Sequence, residues 1–143
     1  MIEINNLTNF SVDKKIFSTV AKKVLLGENR GTEKLSLAFI DKEEIKKLNK
    51  KYRRKNKPTD VLAFGENSKF QIPNPKPNYL GEIVICPEVV KENSKKYGIS
   101  IKKEMMKVFV HGILHLCGYD HEKNKKQAEI MENKQERYLN ELL

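Results

Sequence analysis

The feature that most constrains this chain is the segment HGILHLCGYDH at residues 111–121, which holds all 3 of its histidines. His111 and His115 are four residues apart, so on a helix their imidazoles lie one above the other on the same face. Two imidazoles in that arrangement can bind one transition metal ion together. Gly118 can end the helix in a left-handed conformation, after which the chain can bring in His121 as a third ligand. Three protein ligands with an open fourth position are typical of a catalytic zinc site.

The spacing of this segment matches the metzincin protease pattern HExxHxxGxxH at every position except one. The exception is Gly112, which stands where those proteases carry the glutamate that acts as general base. The segment therefore predicts a metal site at the end of a helix, but it does not predict peptide hydrolysis.

Two other interpretations of the segment remain open. The histidines could be structural residues, or they could hold a purely structural zinc ion, although such sites usually have four ligands that include cysteine. Cys117 is two residues from His115, so a helix turns its side chain away from the histidine face, which favours a packing role. Asp120 is interpreted either as an acceptor that orients a histidine or a bound water, or as a turn residue next to His121.

The charge distribution indicates an anionic partner. The net charge is +9, and residues 42–57 carry nine lysines or arginines against two glutamates. A basic patch of this kind favours polyanions, although many basic proteins bind no nucleic acid. We expect one domain over residues 1–143, because this length is enough for one core.

No membrane or export segment is expected. The longest apolar runs are far below the roughly 18 residues that a transmembrane helix needs. Residues 1–10 lack the basic start and apolar stretch of a signal peptide. Cys86 and Cys117 form no CxxC pair, so we expect reduced thiols and a cytoplasmic location.

Hydrophobic periodicity and capping residues predict four strands and five helices. The strands are predicted at residues 2–4, 34–40, 60–64 and 79–86. The helices are predicted at residues 11–26, with Ser11 as N-cap, and at 41–51, 87–97, 100–117 and 124–142. A basic loop is expected at residues 52–59, and an extended loop at 67–78, where Pro73, Pro75 and Pro77 occur. The fold class is therefore α+β, with a small mixed sheet packed with helices and the histidines at the end of a buried helix.

Three segments of the chain together resemble the YbeY family of bacterial endoribonucleases, which act in rRNA maturation. The first is the histidine segment itself. The second is YRRKNKPTDVL at residues 52–62, with Leu48 and Asn49 before it, and the third is LGEIVIC at residues 80–86. Their order and spacing are those of the family, and the resemblance covers nearly the whole chain.

The resemblance implies a fold, an activity and a set of site residues. The fold is a mixed four-stranded sheet with surrounding helices. The activity is that of a metal-dependent endoribonuclease that prefers single strands, processes the 3′ end of 16S rRNA and acts in ribosome maturation and quality control. Its partners would be RNA and the small ribosomal subunit or proteins associated with it. One zinc-like ion would be held by His111, His115 and His121, and Arg53 would be the functional arginine.

The chain also departs from the family pattern at two places. It has Ala63-Phe64-Gly65 where Ser and then Phe-Pro are frequent, and Glu82 where Asp is usual. Glu82 keeps the carboxylate, but its extra methylene puts any detailed geometric role in doubt.

If the chain cuts RNA, Arg53 would pair with the phosphate and stabilise the charge that develops on it. Arg54, Lys55 and Lys57 would bind the flanking RNA backbone without reading its sequence. The general base is left open between a water on the metal, Asp120 and Glu82, and a ribose hydroxyl is an alternative nucleophile. The rival functions are a metal-dependent hydrolase of another anionic substrate and a non-catalytic, metal-stabilised ribosome assembly factor.

Overall fold

The computed structural model describes residues 2–67, 70 and 76–142, and these residues form the predicted four strands and five helices. The strands are β1 (Ile2–Asn6), β2 (Lys34–Phe39), β3 (Val61–Phe64) and β4 (Tyr79–Ile85). The helices are α1 (Lys14–Gly27), α2 (Lys42–Arg53), α3 (Pro87–Tyr97), α4 (Ile101–Leu116) and α5 (Lys125–Leu142).

The strands form one mixed sheet in the order β1-β2-β4-β3. β1 pairs with β2, and β2 with β4, in parallel, whereas β3 pairs with β4 in the antiparallel direction. The predicted mixed four-stranded sheet is therefore confirmed. β3 lies at one edge of this sheet, where Phe64 also forms an isolated parallel bridge with Phe70.

The two faces of the sheet carry different cores. Ile83 and Ile85 of β4 belong to the main core with α1 and α4, and the ring of Phe17 packs edge-on against that of Phe109 at 5.1 Å between centroids. Val84 of β4 points to the other face, where it joins a smaller cluster with Ile45 of α2. This division follows from the alternation of side chains along a strand. α4 and α2 therefore approach the sheet from opposite sides.

Helix capping explains where the helices begin. Asp41 Oδ1 accepts a hydrogen bond from the Glu44 amide at 2.9 Å, and Ser100 Oγ accepts one from the Lys103 amide at 3.0 Å, as expected of N-caps. The predicted cap at Ser11 is wrong, because α1 begins later. Its N-cap is Asp13, whose carboxylate accepts a hydrogen bond from the Lys15 amide at 3.1 Å.

Helix α2 extends further than the sequence predicts, into the basic segment at residues 52–59. The sequence predicts a helix end near Lys51 and a loop from Tyr52, but α2 runs to Arg53. It ends at Arg54, whose backbone takes a left-handed conformation with φ of 58° and closes the helix as C-cap. Arg53 is consequently the last residue of a helix and not a loop residue. Most of the loop predicted at 67–78 lies outside the described residues.

α4 is buried along most of its length, as its near-continuous apolar sequence predicts. It packs against α1, α3, α5, β3 and β4. In the part of the chain that the structure describes, no helix combines the length and hydropathy needed to cross a bilayer.

Candidate metal centre and cleft

Helix α4 places two of the histidines on one face near its end, as the sequence predicts. His111 Nε2 and His115 Nε2 lie 3.1 Å apart. Both side chains are half-buried, since the rest of α4 is packed into the core. Their positions are therefore fixed by a rigid element and not by a loop.

The turn after α4 brings in the third histidine. Gly118 has φ of +101°, and its amide donates to the His115 carbonyl at 3.0 Å while the Tyr119 amide donates to the Leu114 carbonyl at 3.1 Å. These bonds satisfy the last carbonyl groups of the helix and reverse the chain. His121 Nδ1 then lies 3.1 Å from His115 Nε2. The grouping of His111, His115 and His121 predicted from their spacing is what the structure shows.

The donor set fits a zinc ion. The three candidate ligand nitrogens all lie within 4.8 Å of one another. Two imidazole nitrogens bound tetrahedrally at about 2.0–2.1 Å from one zinc ion are roughly 3.3–3.4 Å apart, close to the observed 3.1 Å separations. Three nitrogen donors converging on one point are a set that zinc accepts.

The protonation of the histidines favours metal binding. Burial is the main cause that lowers the pKa of His115, and together with the neighbouring His111 and His121 it brings this pKa to about 4. Burial is also the main cause that lowers the pKa of His111. Both imidazoles are consequently neutral near pH 7, which is the form that binds metals.

Cys117 is not a ligand of this site. Among the described residues, the group whose ligand atoms lie close enough to share one metal ion consists of His111, His115 and His121 and does not include Cys117. Burial raises the pKa of its thiol to about 12. The side chain packs against the main core instead. The packing role expected for Cys117 is therefore the one that the structure supports.

Gln135 orients His111, a role for which the sequence contains no local signal. Its Oε1 lies 2.9 Å from His111 Nδ1, and the amide oxygen can accept the Nδ1–H, leaving Nε2 for a metal. Gln135 lies on α5, 24 residues beyond His111, so only the tertiary fold brings the two together. Asp120 was the acceptor considered from the sequence. Its Oδ1 accepts the Glu122 amide at 3.0 Å, as the turn interpretation requires.

A second contact network that the sequence did not indicate holds the turn in place. Glu28, just after α1, accepts hydrogen bonds from Tyr119 at 2.7 Å, from Tyr138, and from Lys134 at 3.2 Å. Burial alone would raise the pKa of Glu28, but the hydrogen bonds from these three groups outweigh it and hold the pKa below its usual value. The network ties the residue two positions before His121 to α1 and α5.

The close packing of α4 against β4 explains the glycine at position 112. A Cβ at this position would lie 3.1 Å from Cγ2 of Ile83 on β4, so any larger residue would require the Ile83 side chain to shift. The close approach of α4 to β4 therefore favours glycine at the position where the metzincin proteases carry their general base.

A cleft of about 300 Å³ lies beside the three histidines at the β3 edge of the sheet. Arg53 reaches this cleft from the end of α2, and Asp120 also lines it. The Arg53 side chain is 25% exposed, and its Nη2 lies 3.6 Å from Glu122 Oε1. Since Glu122 directly follows His121, this ion pair places the guanidinium next to the histidine turn.

The other predicted basic residues lie elsewhere. Arg54, Lys55 and Lys57 are exposed and do not line the cleft. Glu82 also lies outside it, on β4 beside Ser36 of β2. Burial raises the pKa of Glu82, and Glu3 raises it further. Of the two carboxylates considered as general base, only Asp120 therefore lies at the cleft.

Comparison with known proteins gives a consistent result. The family model described as Endoribonuclease YbeY matches residues 3–143. A relative from Finegoldia magna is 38% identical over 147 residues, covering 99% of this chain and 94% of its own length. One from Sulfurihydrogenibium sp. is 34% identical and covers 92% and 84%. Both carry the name Endoribonuclease YbeY. A solution structure of a Thermotoga maritima protein has a TM-score of 0.69 and 32% identity, covering 99% of this chain and 89% of that one.

Proposed function

The chain belongs to the YbeY family, and on that premise we propose that it is a metal-dependent endoribonuclease that cuts single-stranded RNA. The protein would act in the cytoplasm. It would process the 3′ end of 16S rRNA and take part in ribosome maturation and quality control. Its partners would be the small ribosomal subunit or proteins associated with it. We further propose that residues 1–143 act as one domain.

One observation carries this proposal: a group of metal-binding nitrogens and an arginine meet in one cleft. The guanidinium of Arg53 and the imidazoles of His111, His115 and His121 all line it. Arginine binds phosphate oxygens in a planar, two-point manner and keeps its charge at any physiological pH. A cleft that combines these groups suits a phosphodiester better than a neutral substrate.

Zinc held by His111 Nε2, His115 Nε2 and His121 Nδ1 would supply Lewis-acid chemistry towards a phosphate oxygen. The protein supplies the rest. Gln135 keeps the proton of His111 on Nδ1, so that Nε2 stays free. The network around Glu28 holds the turn that carries His121.

Arg53 has the role of binding the phosphate and stabilising the charge that builds up on it. Its ion pair with Glu122 at 3.6 Å orients the guanidinium at the cleft while leaving other N–H donors available. Several carboxylates line the cleft, and of these Asp120 directly precedes His121. Asp120 would accept a proton there. The exposed Arg54, Lys55 and Lys57 lie outside the cleft and would bind RNA backbone beyond the cutting position.

The test compares two variants with the wild type. His115→Ala and Arg53→Ala are assayed for zinc content, for cleavage of single-stranded RNA and for folding by circular dichroism. His115→Ala should lose both zinc and cleavage, and Arg53→Ala should keep zinc but lose about a hundredfold or more in cleavage rate, as for other groups that stabilise transition-state charge. Lys22→Ala, an exposed residue of α1, is the matched control and should behave like wild type.

The rival functions give different results in the same experiment. A hydrolase of another anionic substrate would bind zinc but leave RNA intact. A non-catalytic assembly factor would leave RNA intact and would lose its fold together with zinc in His115→Ala. If both folded variants cut RNA as fast as wild type, the site assignment is wrong.

A further inference from the structure

The cleft extends away from the histidines to the first turn of α4, where Glu104 lies. Glu104, Lys107, Val108 and His111 follow one another at helical spacing along a single face that lines the cleft. His111 lies seven positions after Glu104, which corresponds to about 10 Å along the helix axis. A nucleotide whose phosphate lies at the histidines could therefore place a base near Glu104.

Glu104 is a buried carboxylate with an unsatisfied oxygen. Its side chain is 2% exposed, and within the described part of the chain Oε1 accepts no hydrogen bond. Lys107 Nζ lies 3.7 Å from that oxygen, beyond hydrogen-bonding distance. Buried acceptors almost always accept a hydrogen bond, so one that lines a cleft and has only a long ion pair is typical of a group whose hydrogen-bond partner is a ligand.

An exposed aromatic side chain lies at the same end of the cleft. Tyr97, the last residue of α3, is 54% exposed and lines the cleft together with Glu104. The ammonium of Lys107 lies 5.3 Å from the centre of its ring. Exposed aromatic rings beside basic groups are the surfaces on which unpaired bases of single-stranded RNA stack.

We propose that Tyr97, Glu104 and Lys107 form a nucleobase subsite that prefers guanine, in which the base stacks on Tyr97 and its edge is read by the other two. This inference rests on the proposed RNA cleavage, because it assigns a base preference to the same cleft. It makes Glu104 and Lys107 specificity-determining residues and gives them no part in breaking the bond.

The charges at this position favour a base over a second metal ion. A divalent cation next to Glu104 would meet the Lys107 ammonium at close range, and this repulsion offsets the attraction of Glu104 and of Asp60, which also lines the cleft. The edge of a base presents donors and acceptors side by side, which matches a carboxylate next to an ammonium group. Guanine fits best, because its O6 accepts from Lys107 while its N1–H and N2–H both point towards Glu104.

The first experiment measures binding without cleavage. Zinc-loaded protein is titrated with guanosine and uridine monophosphates, which contain no phosphodiester bond to cut, and binding is followed by NMR chemical shifts. The wild type should bind the guanosine nucleotide roughly 5- to 150-fold more tightly, which is the range for one well-made base-edge contact. Glu104→Gln, which preserves shape but removes the charge, should lose most of this preference. Glu132→Gln, an exposed position on α5, is the control and should keep it.

Tyr97 gives a second variant that does not depend on a buried position. Tyr97→Ala should weaken the binding of both nucleotides about tenfold, and Tyr97→Phe should restore it, because stacking needs the ring and not the hydroxyl group. Equal binding of the two nucleotides by the wild type, or an unchanged preference in folded Glu104→Gln, would overturn the proposal.

The second experiment maps cuts in oligouridylates that contain a single guanosine. The wild type should cut mainly at one fixed position relative to that guanosine, and Glu104→Gln should cut at scattered positions. Evenly scattered cuts by the wild type would reject the subsite while leaving RNA cleavage established. No cutting at all would reject the proposed function, whereas the nucleotide titration would still decide whether the subsite exists.

Discussion

Two helix ends meet at the cleft, and they are built in opposite ways. The end of α4 is packed in the core, and its histidines are held by Gln135 and by the turn that Glu28 anchors. The end of α2 carries exposed charges, and Arg53 at its last position is its contribution to the cleft. Metal binding needs nitrogens fixed to fractions of an ångström, whereas holding an RNA backbone needs positive charge nearby. Changes at the first end should therefore act on stability and metal affinity, and changes at the second on RNA affinity.

The largest effect in this comparison is expected from the buried network of Glu28. Glu28→Ala should lower the free energy of unfolding by about 3 kcal/mol, because it leaves the hydroxyl groups of Tyr119 and Tyr138 and the ammonium of Lys134 without their shared acceptor. Lys57→Ala, an exposed change in the basic segment, should alter stability by less than about 0.5 kcal/mol. Urea unfolding of both variants measures the change in the free energy of unfolding. Equal changes in the two variants would show that the ends of α4 and α2 do not differ in their contribution to stability.

The same network predicts a pH dependence. The pKa of Glu28 is lower in the folded protein than its ordinary value, so its stabilisation is complete above that ordinary value of about 4.3. It should be lost as the pH falls through the lower folded pKa. The stability difference between wild type and Glu28→Ala should therefore shrink in acid below about pH 4.

A smaller effect is expected at Gln135. Gln135→Ala removes the acceptor for His111 Nδ1 and should weaken zinc binding about 10- to 100-fold. Gln135→Glu supplies another acceptor and should restore most of the affinity. Gln127→Ala, on the same helix but not lining the cleft, serves as control. Competition with a chelator measures the zinc affinity of each variant. Equal zinc affinities of all variants and the wild type would show that Gln135 does not support zinc binding.

The smallest effects belong to the basic segment. Single changes of Arg54, Lys55 or Lys57 to Gln should each weaken single-stranded RNA binding a few-fold, and each should reduce the slope of log affinity against log salt concentration by about 0.7. Fluorescence anisotropy over a series of salt concentrations gives this slope. An unchanged slope in all three variants would show that this segment does not contact the RNA backbone.

The sequence predicted most of the fold because local signals were strong. Asp41 and Ser100 are N-caps and Gly98 is a C-cap in the structure, and these residue types mark helix ends through capping chemistry that acts over a few residues. The predicted end of α2 is wrong because Arg54 closes the helix in a left-handed conformation. Glycine and asparagine usually mark such a helix end, and an arginine at this position does not predict it.

The sequence predicted the part of the site that depends on the spacing of nearby residues. Three histidines around Gly118 form a local pattern, and they do come together. Gln135 and Glu28 are distant from that pattern in the sequence, so no periodicity could connect them to it. The burial of Glu104, one oxygen of which accepts no hydrogen bond from the described residues, likewise depends on tertiary packing. A glutamate near a helix start is otherwise an ordinary surface residue.

The proposed zinc site needs all three histidines, which the fold holds close together. A zinc titration of the wild type and of His115→Ala, followed by isothermal calorimetry at neutral pH, tests this requirement. One zinc ion should bind to each wild-type chain, and a folded His115→Ala variant should show no high-affinity binding. Tight binding of one zinc ion by that folded variant would show that the three histidines do not form the site.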